Sequence, residues 1–274
     1  MLKKKQREKG VALVLLTLGA VIMVFPFLWM ILSAFKTDAE IMSQIPSIFP
    51  RDFTLENFEQ LFERQNFAKY IVNTFIIVAW AFVGMMLSSM AGYGFAKYRF
   101  RHKEKYFYVV LATMMVPTQT LLIPVYLLIL NMGLLNTFAG MALPAFVSGY
   151  TVFLFRQFMS TIPDELIEAA YIDGAGELRT FFSIALPQIK SAFIVQGIIS
   201  FMGAWNYFLY PLILATDDSH YTLSVAISLL KNQSGTNYGL QIAGATLAVI
   251  PVLVVLIFFQ RYIKQGFAMD GVKG

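Results

Sequence analysis

The sequence predicts an all-α polytopic membrane protein with six transmembrane helices, on its composition, the spacing of its apolar runs and the placement of its basic residues. Of 274 residues, 58% are hydrophobic and only 14% charged, and the mean hydropathy is +0.65. Soluble domains carry about a quarter of their residues as charges. A bilayer span needs about 20 mostly apolar residues, and charge-poor runs near that length fall at about 10–34, 70–96, 106–130, 138–155, 189–214 and 240–260. Segments between the runs are too short to stabilise a separate soluble domain. The expected organisation is one transmembrane domain over 1–274.

The first run follows Lys3, Lys4, Lys5, Arg7 and Lys9. It is longer than the apolar core of a signal peptide and has no small-x-small site after it, so it is expected to stay as an uncleaved span. Lys and Arg favour the cytoplasmic side of short loops. With the N-terminus inside, the N-terminal segment, the 97–105 loop, the 156–190 segment and the tail together hold sixteen of the 21 basic residues. Lys36, Arg51, Arg64, Lys69 and Lys231 remain outside, and both termini are cytoplasmic. The same pattern explains the net charge of +5 without nucleic acid.

The fourth run is short and contains Pro144 and Gly149, which suits a helix packed inside the bundle. In the outer segment 36–69, apolar residues at 55, 58, 61 and 62 have the spacing of a surface helix. That helix either packs on the outer ends of the spans or docks a soluble partner.

Several function classes are excluded or disfavoured. With no cysteine there is neither a thiol nucleophile nor a Cys-ligated metal. No phosphate-binding loop, HExxH or GxSxG motif occurs, and the predicted orientation puts His102 and His220 on opposite sides of the membrane. No catalytic residue, metal site or bound cofactor is expected. Energy comes from a partner, or the protein is passive. Between Tyr106 and Phe155, and between Ser191 and Thr216, no Asp, Glu, Lys, Arg or His occurs. Proton coupling needs a titrating group in the membrane, so an ion-coupled secondary carrier is disfavoured. Sodium coupling through carbonyls and hydroxyls stays open, as does a non-transport assembly protein.

The most informative stretch is cytoplasmic, 161–187. Thr161 with Asp164 reads as a capping-box-like helix start, Pro163 as a first-turn residue, and Asp164 with Glu165 complement the positive helix end. Gly174 supplies a left-handed helix end. A second helix is expected with 178, 181, 182 and 185 on one face, broken or bent at Pro187. The two helices form a compact knob that either docks a partner or caps the bundle.

Glu168-Ala169-Ala170, Asp173-Gly174-Ala175 and then Ile184, Leu186 and Pro187 resemble the EAA signature of ABC importer permeases. Phe25 to Met30, Trp205-Asn206-Tyr207-Phe208, and the tail from Gln260-Arg261-Tyr262 to Gly271–Gly274 narrow the resemblance to carbohydrate-uptake permeases of the maltose MalG type. Ser191, where that group often has proline, and Tyr207, where it often has an acid, depart from it. The resemblance implies one permease of a pseudo-symmetric pair, with two ATPase subunits that hold the ATP and Mg, and an extracytoplasmic sugar-binding protein. It also implies that the knob seats in an ATPase groove, with Glu168 meeting a basic residue there. Knob movement would reach the spans through the connection at Pro187.

Sugars need hydrogen-bond partners and flat apolar surfaces. The inner spans offer Gln119, Gln196, Trp205, Asn206, Tyr207 and Tyr210, which either face a substrate path or bond neighbouring helices. Gln119 lies between Pro117 and Pro124, where a disrupted helix would line a cavity. Phe25, Trp29, Trp80 and Phe258 read as packing or interfacial residues. Gly92 and Gly94 read as close-packing positions.

Overall fold

The computed structural model describes residues 2–233 and 238–269, and every regular element among them is helical. The tail motif Gly271–Gly274, with Lys273, lies outside the described residues. The chain divides into two compact units, Met1–Ala68 with Ile227–Ile250, and Lys69–Ala226 with Pro251–Gly274.

In the first unit, α1 (Leu2–Ser33) presents its apolar side chains outward over most of its length. That is the arrangement a span needs when its surroundings are hydrocarbon. Thr37 caps α2 (Asp38–Ile41) by accepting from the Glu40 amide at 3.3 Å. α3 (Glu56–Arg64) is the predicted surface helix, with its buried face rotated from the predicted one. Leu61 is fully buried and Asn57 nearly so, while Leu55 and Phe62 are about half exposed. The cause is polar. Asn57 Nδ2 donates to the carbonyls of Ala34 and Lys36, each at 2.9 Å, which turns positions 57 and 61 inward. Lys36 itself is 2% exposed. Its Nζ donates to the Ser47 carbonyl at 2.6 Å and lies 4.7 Å from the Trp29 ring centroid, so this basic residue of the predicted outer segment is packed.

Asn57→Ala would leave two buried carbonyls unpaired, at about 1–3 kcal/mol each. The expected result is a clearly lower thermal unfolding midpoint of the detergent-purified protein. Leu55→Ala, at an exposed position, should leave the midpoint unchanged.

The second unit begins along α4 (Phe67–Lys97), an unbroken helix of 31 residues. α5 (Lys103–Met114) and α6 (Leu122–Asn131) are separated by a 3₁₀ turn over Thr118–Leu121. The expected third span is therefore two helices bent by 89°. Pro117 stands extended at ψ 129° as the cap of that turn, and its ring disfavours helical geometry in the residue before it. The fourth run is likewise bent, by 53°. It runs from α7 (Phe138–Ala142) through a 3₁₀ turn at Leu143–Ala145 to α8 (Gly149–Ser160).

α9 (Asp164–Ile172), α10 (Glu177–Thr180), a π-helical turn over Phe181–Ala185, and α11 (Leu186–Gln188) follow. α12 (Lys190–Trp205), α13 (Leu209–Leu214), α14 (Leu223–Gln233) and α15 (Tyr238–Met269) complete the described chain. Among the described residues, four segments are long and apolar enough to cross a membrane, 9–33, 67–97, 190–214 and 238–262. Counting each bent pair as one span brings the total to six.

Small residues at one helical spacing let α4 approach its neighbours. A Cβ on Gly92 would lie 2.6 Å from Phe155 Cβ and 2.8 Å from the Arg156 nitrogen, and one on Gly84 would overlap the Phe146 carbonyl. Ser88, midway between them, is buried and donates to the Gly84 carbonyl at 2.8 Å. Gly94, expected to permit close packing with Gly92, meets only the Tyr98 ring at 3.8 Å. Asn136, at φ +54°, ties two loops together, donating to Asp217 at 2.7 Å and accepting from the Thr216 amide at 3.1 Å.

Candidate functional site

Two features of the second unit carry the predicted residues: the 161–187 segment and a cavity. The start of α9 differs from the expected capping box. Thr161 donates back to the Phe158 carbonyl at 2.8 Å, and Pro163, extended at ψ 136°, is itself the N-cap. Asp164 meets Lys97 Nζ at 2.6 Å, so an interhelical cation has taken the carboxylate that the local motif would have used. Lys97 also donates to the Ile162 carbonyl.

The end of α9 is as expected. Gly174 sits at φ +81°. Its N–H donates to the Tyr171 carbonyl at 3.0 Å and that of Ala175 to the Ala170 carbonyl at 2.9 Å, the paired bonds of a Schellman motif.

Past Gly174, Pro187 does not end the second helix. α10 passes through the π turn into α11, and the break comes at Ile189, at φ −103° and ψ 22°. Proline donates no backbone hydrogen bond, and the wider π turn ahead of it accommodates that gap in the ladder. Of the expected apolar face, Phe181 and Ala185 are buried while Leu178 is 61% and Phe182 45% exposed.

The signature residues thus separate. Glu168, Ala169, Asp173 and Gly174 are exposed, Ala170 is buried beneath them and Ala175 half-buried. Ile184 and Leu186 pack on a core containing Met85, Phe155, Met159 and Ile167, and Pro187 is exposed. Ile172, adjacent to Asp173, is 86% exposed. Nothing in the sequence distinguished Ile172 from Ile167, which is 5% exposed on the same helix, since both fit an amphipathic pattern.

A polar cluster that sequence reasoning missed borders the knob. Glu177 Oε2 accepts from Tyr171 at 2.7 Å and from the Tyr98 hydroxyl. These donors hold the Glu177 carboxyl below its ordinary range, and Lys97, by hydrogen bond and charge, does the same for Asp164. Both contacts therefore persist above the usual carboxylate pKa and weaken only as pH falls through the lowered values. Burial, then the bond to Glu177, push the Tyr98 and Tyr171 hydroxyls upward. Arg156 pairs with Glu104 at 2.7 Å and lies over the Phe107 ring, joining α8 to α5.

The cavity encloses about 340 Å³. α4 lines it with Ile77, Ala81, Met85 and Ser88, and Thr151, Gln196 and Tyr207 join from α8, α12 and the turn after α12. None of its lining residues is Asp, Glu, Lys, Arg or His. Gln196, 3% exposed, donates to Thr151 at 3.3 Å and to Ser200 at 3.4 Å. Its Oε1 and the Tyr207 hydroxyl are buried without a partner among the described residues.

Of the six predicted pathway residues, the cavity gathers only these two. Gln119 is exposed on the 3₁₀ turn and is not part of the lining of this cavity. Trp205 is 2% exposed, packed on Phe201 and Phe75 with ring centroids 5.7 and 5.1 Å away. Asn206 is exposed and donates to the Met202 carbonyl at 2.9 Å. Tyr210 is 8% exposed, its ring 6.1 Å from that of Tyr207. Asn206 thus bonds within its own helix, and Trp205 and Tyr210 pack against neighbouring rings.

Long apolar helices, two bent helix pairs, a glycine-turned knob and a cavity lined without charged side chains fit the membrane component of a transport system. The chain belongs to the family described as binding-protein-dependent transport system inner membrane component, whose profile matches residues 84–268. It is 35% identical to the arabinooligosaccharides transport system permease protein AraQ of Halalkalibacterium halodurans, over 98% of this chain and 100% of that one. It is 34% identical to the diacetylchitobiose uptake system permease protein NgcG of Streptomyces coelicolor, over 94% and 87%. The lactose transport system permease protein LacG of Rhizobium radiobacter is also 34% identical, over 92% of each. Its fold is shared by a bacterial ABC transporter involved in the import of the acidic polysaccharide alginate, with a TM-score of 0.84, 19% identity, and 94% of this chain and 97% of that chain covered.

Proposed function

We propose that this chain is one permease of an ATP-driven, binding-protein-dependent importer for an oligosaccharide. Its six spans hold both termini in the cytoplasm, and α9 seats in a groove of an ATPase subunit. The supporting observation is the knob: Ile172 stands 86% exposed beside exposed Glu168, Ala169 and Asp173, on a helix whose end is fixed by the Gly174 turn. Glu168 would meet a basic ATPase residue, and Ile172 would fill an apolar pocket beside it. The complex would contain a second permease, two ATPases that hold ATP and Mg, and an extracytoplasmic binding protein. The sugar assignment draws on the relatives named for arabino-oligosaccharides, diacetylchitobiose and lactose and on a cavity without charged side chains. Gln196 and Tyr207 are the residues proposed to face the path.

Affinity purification of the tagged chain in mild detergent, followed by mass spectrometry, tests this. The expected result is recovery of an ATPase and a second permease, and ATP-dependent uptake of a labelled arabino-oligosaccharide, diacetylchitobiose or lactose once the complex and its binding protein are reconstituted in vesicles. Recovery of the folded chain alone, with uptake driven by an ion gradient, would overturn the reading in favour of a secondary carrier. Recovery without any uptake would favour an assembly protein.

A further inference from the structure

α4 is fastened to the knob at two points. Near the start of α9, Lys97 Nζ, on a side chain only 5% exposed, holds Asp164 at 2.6 Å and the Ile162 carbonyl. Beyond the other end of α9, Glu177 accepts from Tyr171 at 2.7 Å and from Tyr98. Tyr93, 3% exposed and one turn before Lys97, packs edge-to-face with Tyr98 and Phe181 at 5.5 and 5.4 Å between ring centroids, backing the second fastening with packed rings. At its other extent the same unbroken helix supplies Ile77, Ala81, Met85 and Ser88 to the cavity wall.

The direct chain connection from α9 to α12 is built differently. It contains the Gly174 turn, the π turn at Phe181–Ala185 and the break at Ile189. Three interruptions break the regular helix along that connection, whereas α4 runs from the knob to the cavity wall without one. Ala81 lies sixteen residues before Lys97, about 24 Å along that rod at 1.5 Å per residue.

We propose that α4, clamped by Lys97 and by the Tyr98–Glu177–Tyr171 cluster, carries displacement of α9 to the cavity wall, and that the segment around Pro187 serves as the hinge. Lys97, Tyr98 and Glu177 are then positioning residues for transport. The proposal rests on the importer reading, because it needs an ATPase to move α9.

Because the chain has no cysteine, Ala81→Cys introduces its only thiol, on the cavity wall. Maleimide labelling of that thiol is measured in the complex co-purified with the tagged chain, without nucleotide and after trapping with ATP and vanadate. With the clamp intact, the two rates should differ by about ten-fold as the cavity changes access. Adding Lys97→Met and Glu177→Ala should shrink the difference to less than about two-fold, while co-purification and ATP hydrolysis persist. Tyr98→Phe with Glu177→Ala, both at exposed positions, supplies the same comparison should Lys97→Met prevent assembly. Glu177→Gln keeps an acceptor oxygen and should restore part of the nucleotide response, which a change in stability alone would not predict. A full response in the unclamped chains overturns the proposal. No response to nucleotide in the Ala81→Cys chain itself overturns the importer reading and, with it, this one.

Discussion

Gly174→Pro should reduce ATP-dependent uptake to background while the protein still inserts and purifies. Gly174 occupies φ +81° and donates its N–H to the Tyr171 carbonyl. Proline fixes φ near −65° and has no N–H, so the Schellman turn cannot form and the residues after α9 must take another direction. The local cost is on the order of 1 kcal/mol or more, borne by a surface turn outside the long apolar helices. Glu168, Asp173 and Ile172 would no longer be presented together, and Glu177 would be displaced from Tyr98. Vesicle uptake, paired with ATP hydrolysis by the same complex, checks this. Normal uptake in that variant would remove α9 from the coupling role.

Gly84→Ala should be the most damaging single-methyl change in the spans. Its Cβ would overlap the Phe146 carbonyl oxygen, which is backbone and cannot rotate away. The bent helix pair would have to separate from α4, and overpacking of this kind costs roughly 1–3 kcal/mol or more. A fall in the thermal midpoint on the order of 10 °C, with loss of a monodisperse peak in detergent, is the expected outcome. Gly94→Ala provides the contrast. Its new methyl meets only open space and the Tyr98 ring, and alanine is the better helix former by about 1 kcal/mol, so stability should hold or rise slightly. Equal behaviour of the two variants would show that α4 is not seated as described.

How far the site could be read from sequence differs residue by residue. Gly174 was legible because a helix end needs a left-handed residue, and that need is local. Asp164 does lie in the first turn of α9, but its capping-box role fails for the complementary reason. Its capping role was inferred from neighbours in sequence, whereas its partner Lys97 is 67 residues away. Glu177 carries no local signal of its bonds, since a lone glutamate at a helix start reads as a favourable charge near the positive helix end. Gln196 and Tyr207 were picked out with four others of similar chemistry. Only the packing of α4, α8 and α12 shows that these two reach a common cavity and that Gln119 does not.

By itself the sequence determined the helical class, the existence of the apolar runs and the position of the knob, because hydropathy, charge placement and glycine or proline geometry act over a few residues. The three-dimensional arrangement decided which runs are bent, which way α3 faces, which signature residues lie exposed or in the core, and that α4 is fastened to the knob. The bend at Pro117 is local, but the facing of α3 and the fastening of α4 depend on partners far along the chain, a carbonyl for Asn57, an ammonium for Asp164 or the Tyr98 hydroxyl for Glu177, and no local pattern encodes where such a partner will lie.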